Sequence, residues 1–218
     1  MKFFFRIMLF VLVAGLLFAP AIVGCDDSNE NDPMLLGLAL LNSVAPKQIY
    51  IYDGGLHNGN LSGSTGANDL CVDAAYGYTL LDNASVKKAF LSFPGVRNGD
   101  IKDLVPARYA ELPVYGFDAA TRQAQLLKDH WSDLWDSSGI MLTLQAAIGI
   151  DANWWLGSQH DGSSYSSTFT CNSWTSESNL SSGILGSYDN GNSYYWINDQ
   201  ETLTATCNSP YHLLCIAY

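Results

Sequence analysis

The chain has 218 residues, a formal net charge of −11, and 48 % hydrophobic against 14 % charged residues. Once a leader is set aside, that leaves enough for one ordinary domain with a real core. The acidic balance argues against nucleic acid and anionic headgroups as partners, since like charges repel, and is compatible with cationic partners, divalent ions or solubility alone.

Residues 1–24 read MKFFFRIMLFVLVAGLLFAPAIVG. Lys2 and Arg6 supply a positive start and Phe3 to Phe18 an apolar core, the pattern of a secretory signal. A membrane-spanning helix is the competing reading, because the apolar length is borderline. Ile22-Val23-Gly24-Cys25 argues against it. A short apolar residue, any residue and a small residue before Cys resembles the lipobox of bacterial lipoproteins, which implies that the Cys25 thiol takes a diacylglyceryl group. Two or three acyl chains, palmitate among them, would hold the protein at a membrane where one would be marginal. Losing Lys2 and Arg6 with the leader leaves 8 basic against 21 acidic residues, or −13.

Residues 25–46 read as a lipidated tether. DDSNENDP is acidic and polar, with nothing to bury. MLLGLALLN is apolar but too short to cross a bilayer, and is expected as a small helix ending before Pro46.

The domain is expected over residues 47–218. QIYIY is β-branched and aromatic, and reads as a first strand. DGGLHNGNLSGSTG reads as a loop; its glycines match no phosphate cradle, since no GxxxxGK[ST] occurs. NDLCVDAAYGYTL is expected as a short helix over 68–80, capped by Asn68 or Asp69 and carrying Cys71. VKKAFLSF reads as a strand closed by Pro94. Asp100 to Val105 suggests a short helix, and LPVYGF a strand or extended loop. AATRQAQLLKDHWSDLW has helical composition, with Trp131 and Trp135 at i and i+4 on one core-facing side. GIMLTLQAAIGI suits a buried strand or loop. Beyond Trp154, short aromatic and polar runs separated by Gly and Asn argue for strands and loops, and YHLLCIAY closes the chain as a buried strand. Cys71, Cys171, Cys207 and Cys215 allow three disulfide pairings, among which spacing does not choose.

The fragments WWLGS, CNSWTS and HLLCIAY, with Cys71 in GANDLC, resemble the endostatin-like branch of the C-type-lectin-like fold, closest to a family of uncharacterised lipoproteins of spirochaete type. The resemblance covers about residues 48–218. It implies an α+β fold with mixed, mainly antiparallel strands, short helices, long loops and two nested disulfides, Cys71–Cys215 and Cys171–Cys207. It also implies that Trp155 and Trp174 lie near the core.

Motifs for chemistry are sparse. No GxSxG elbow and no HExxH occur, and His57, His130, His160 and His212 are scattered. Calcium-dependent lectins use a Trp-Asn-Asp motif; here Trp196-Ile197-Asn198-Asp199, followed by Glu201, offers suitable oxygen ligands, but Ile197 interrupts it and no Glu-Pro-Asn partner occurs. Tyr194, Tyr195, Trp196, Asn198, Asp199 and Glu201 are therefore the candidate ligand-binding residues, with Tyr194, Tyr195 and Trp196 expected at the surface.

The expectation is a non-enzymatic binding or adhesion module, lipid-anchored in the bacterial cell envelope at the outer membrane or cell surface. No catalytic residue, cofactor, metal or nucleic acid is expected. The leading partner is an extracellular protein. The alternatives are a carbohydrate-binding lectin, possibly calcium-dependent, and an envelope structural protein.

Overall fold

Strand β8, Tyr211–Ala217, is the axis of the sheet. Leu214, Ile216 and Tyr218 face a first core, while Leu213, Cys215 and Ala217 face a second. Side chains alternate across a strand, so a segment buried on both faces reads as a continuous apolar run. Strand β1, Ile49–His57, repeats the pattern: Ile49 and Ile51 enter the first core, Tyr50 and Tyr52 the second.

The computed structural model describes residues 45–191, 193–198 and 203–218, with backbone alone for residues 193 and 194. Ala45–Tyr218 pack as one unit. The fold is α+β. The sheet contains β2 (Lys87–Ala89), β3 (Val114–Asp118), β4 (Gln123–Lys128), β5 (Trp154–Trp155), β6 (Ser182–Gly186) and β7 (Thr204–Thr206), in the order β4-β3-β1-β8-β5-β6-β7. β2 and β5 both pair with β8. β2 is antiparallel to its C-terminal half, and β5 is parallel to its start at Trp154↔His212. β1–β3 is also parallel, and the other pairings are antiparallel.

The helices are short: α1 (Gly63–Ala75), α2 (Thr79–Asp82) and α3 (Leu144–Ile148). α1 covers the second core through Ala67, Cys71 and Ala75, and Cys71 is bonded to Cys215 of β8. The first core is aromatic. Phe90 packs near-parallel to Trp154 (5.4 Å) and Trp196 (6.3 Å), which lie 6.2 Å from each other, and meets Trp131 edge-on at 5.9 Å.

Several local expectations are corrected. α1 starts at Gly63, inside the segment read as a loop, and ends at Ala75. Asn68 is not its cap; its Oδ1 accepts the Ala89 N–H at 2.9 Å, joining helix to β2. The segment of helical composition after Ala119 forms β4 and then a 3₁₀ turn, Trp131–Trp135. Propensity yields here to a hairpin turn. Asp118 Oδ1 accepts the N–H groups of Ala120 and Thr121, and its Oδ2 the Thr121 hydroxyl, reversing the chain onto β3. Trp131 and Trp135 do share a side, with rings 5.3 Å apart. The apolar run at 139–150 contains α3 instead of a strand, capped by Thr143 Oγ1 on Ala146 N–H.

Candidate functional site

The six residues singled out for ligand binding do not form a surface site among the described residues. Trp196 is fully buried against Phe90 and Trp154, and Asn198 is buried with its Nδ2 donating to Ser158 O at 3.4 Å. The expectation of a surface Trp196 is therefore wrong, because its indole completes the aromatic core. Tyr195 is half-buried on the 3₁₀ turn Ser193–Trp196. The Tyr194 side chain, Asp199 and Glu201 lie outside the described residues.

The polar chain between β5 and β6 builds a different site. Its centre is a left-handed turn, Cys171–Trp174, in which all four residues have positive φ: 48°, 57°, 56° and 62°. Left-handed helix costs an L-residue roughly 1–2 kcal/mol each, and rarely extends beyond one residue. Four in a row persist where the surroundings over-determine them. Cys171 is bonded to Cys207. The Trp174 indole is fully buried and its Nε1 donates to Ser92 O at 2.8 Å. The Thr170 hydroxyl accepts the Ser173 N–H, and Leu61 N–H donates to Trp174 O. Thr175 Oγ1 closes the exit by donating to Asn172 O at 2.7 Å.

Two glycines of the supposed loop before α1 explain themselves here. A Cβ on Gly59 would lie 2.3 Å from Cys171 Sγ, and one on Gly54 2.8 Å from Cys215 Sγ. These positions give the two disulfides room, a role no sequence motif announces.

Beside the turn is an open cleft of about 430 Å³, lined by Ser167, Thr168, Phe169, Asn172, Ser176, Leu180, Ser181 and Ser182. No charged side chain lines it. Hydroxyls and one amide share it with Phe169, whose ring packs edge-on against Tyr165 at 5.4 Å, and with Leu180, which is 92 % exposed. Side chains fix its floor: Ser166 and Thr170 cap the two turns, and Ser176 and Ser178 hydroxyls accept N–H groups from Ser178 and Leu180. Such a surface can hold a ligand by hydrogen bonds and apolar contact, with no group suited to proton transfer near neutral pH.

Titratable groups cluster elsewhere. His212, at the start of β8, faces Asp53 Oδ1 through Nδ1 at 2.9 Å and Asp151 Oδ1 through Nε2 at 3.5 Å. Burial pushes its pKa down, but Asp53 and Asp151 outweigh burial and raise it. His130 pairs with Asp133 at 2.9 Å, and that hydrogen bond raises its pKa. Among the described residues neither ring is bonded to a hydroxyl or thiol nucleophile, and no group of three or more His, Cys, Asp or Glu is arranged to hold a metal ion. Nor, among those residues, is any helix long and apolar enough to cross a membrane.

The paired cysteines are Cys71–Cys215 and Cys171–Cys207, the nested arrangement implied by the C-type-lectin-like resemblance. Compared with protein-family models and with the curated proteins, the chain matches neither.

Proposed function

We propose that this protein is a lipid-anchored, non-enzymatic binding module of the bacterial cell envelope, whose C-type-lectin-like domain engages an external protein through the cleft beside the left-handed turn. The observation that carries this reading is the uncharged, hydroxyl-lined cleft that includes Leu180 and borders, through Asn172, a turn of four residues in a costly backbone conformation. Strain of that kind concentrates at ligand-binding positions. An exposed leucine rimmed by hydrogen-bonding groups suits a protein surface, which supplies apolar contact at the centre and polar contact around it. Two disulfides support an oxidising compartment outside the cytoplasm. The lipobox at Cys25 supports an acyl anchor, and residues 26–33 a solvated tether.

Carbohydrate is a second reading. The density of Ser, Thr and Asn around the cleft favours it, as does a volume suited to one or two sugar units. It needs no calcium at this place, because no carboxylate lines the cleft.

Two experiments test the proposal. Cys25→Ala moves the protein from the membrane fraction to the soluble one; unchanged partition contradicts the anchor. A photo-crosslinking side chain at position 180 of the full chain on intact cells captures a discrete protein, and the same group at the exposed control Val96 does not. Equal labelling from both positions removes the cleft as the binding face. Glycan capture at 180 without protein moves the assignment to the second reading.

A further inference from the structure

A second pocket lies between the corner joining α1 to α2 and the β3–β4 turn. Its volume is about 200 Å³, and Gly77, Tyr78, Thr79, Leu80, Phe117 and Arg122 line it. The Tyr78 and Phe117 rings form an edge-to-face wall, 5.4 Å apart at 69°. The space suits one large apolar side chain and is smaller than most small-molecule sites.

Arg122 sets its chemistry. It is exposed, and among the described residues no carboxylate forms a salt bridge with it, in a chain of formal charge −11. Its backbone is left-handed, with φ of 57°. That conformation suits Gly or Asn at a hairpin turn and disfavours Arg. An arginine at a strained backbone position in the lining of an aromatic pocket suits an anionic ligand group. Guanidinium presents paired donors that match a carboxylate. The surface outside the pocket is also apolar: Val72 on α1 (50 % exposed), Tyr76 directly after its end (85 %) and Leu80 on α2 (45 %) are all exposed. Asp69 and Asp73 share one face of α1 and are exposed. A small carboxylate would leave this strip uncovered, whereas a peptide leaving the pocket covers it.

We propose that this pocket binds a peptide C-terminus. The large apolar last side chain enters against Tyr78, Leu80 and Phe117, the free α-carboxylate pairs with Arg122, and a basic residue upstream lies beside Asp69 and Asp73. The site is separate from the cleft at Cys171–Trp174 and does not depend on it.

The test uses the oxidised protein, amide NMR and the probe acetyl-Lys-Gly-Phe with a free carboxylate. Its C-terminal amide and 3-phenylpropionate serve as comparisons. The expected result is saturable shifts confined to residues 69–80 and 117–122, with affinity falling about tenfold for the amide and for 3-phenylpropionate. Arg122→Asn removes the charge with a residue that accepts the left-handed turn, and is expected to weaken the acid about tenfold while leaving the amide unchanged. Equal binding of acid and amide, or an unaffected Arg122→Asn, overturns the carboxylate pairing. Equal binding of 3-phenylpropionate overturns the peptide assignment. Absence of shifts at millimolar probe overturns the site.

Discussion

Around β8 the chain is held by what it buries, whereas between Gly157 and Ser182 it is held by what it is tied to. Residues Leu213 to Ala217 are all fully buried, with β1, β2 and β5 alongside. The outer disulfide there joins elements that already pack together. The segment from Gly157 to Ser181 has no strand of its own beyond isolated bridges. Serine and threonine hydroxyls stabilise its bends, and Cys171 and Trp174 pin it to the rest. Apolar burial fixes a surface by consuming side chains. A covalent tie and one buried indole fix it while leaving Ser166, Ser167, Thr168 and Thr175 exposed, as a binding face requires.

The largest effect is expected from the cross-links. Loop closure over 144 residues gives about 5 kcal/mol for the outer bond, and over 36 residues about 4 kcal/mol for the inner one. Urea unfolding of Cys71→Ala/Cys215→Ala is expected to show a global loss near the first figure. Cys171→Ala/Cys207→Ala is expected to lose somewhat less, but to accelerate hydrogen exchange selectively over residues 157–182. Uniform exchange in the inner variant would erase the distinction between the two regions. Phe90→Ala tests the buried side. Removing the ring that packs against Trp154, Trp196 and Trp131 should cost roughly 3–5 kcal/mol, with exchange rising in the sheet and not selectively in the loop face.

Smaller effects sharpen the comparison. The folded pKa of His212 is raised by Asp53 and Asp151 against burial. Its stabilisation is therefore complete below the unfolded value of about 6.5, and is lost as pH rises through the folded value. Stability from this group should decline from mildly acid to alkaline pH, and His212→Gln should flatten that part of the profile; an unchanged slope excludes the triad. Smallest is Ser173→Gly. Relief of a left-handed residue should raise stability by about 0.5–1 kcal/mol, measured by the urea midpoint. A loss would show that the Ser173 side chain contributes to holding the turn.

The buried axis was the legible part of the sequence. QIYIY and YHLLCIAY are apolar on both faces, so burial and strand structure follow from composition. Trp155 and Trp174 are core residues, as the resemblance implied. β4 was illegible because Gln-Ala-Gln-Leu-Leu-Lys favours helix locally, and only its pairing with β3 makes it extended. Trp196 misled for a related reason. It sits among polar residues, and its neighbours in the stack, Phe90 and Trp154, are distant in sequence. The cleft was hidden more deeply. Cys171-Asn172-Ser173-Trp174 carries no glycine, and Asn172 alone is a residue type that favours a single left-handed position, not four in a row, so Ser-rich chain reads as ordinary loop. The glycines beside the disulfides were visible, but their meaning depends on sulfurs placed by the fold.

The claim that the tied loop face is the binding face is tested most directly by crosslinking from position 180 on intact cells, with and without the Cys171–Cys207 bond. A discrete adduct is expected from the intact protein and is lost in Cys171→Ala/Cys207→Ala, while the variant remains folded and membrane-bound. An adduct formed equally well without the bond would contradict it.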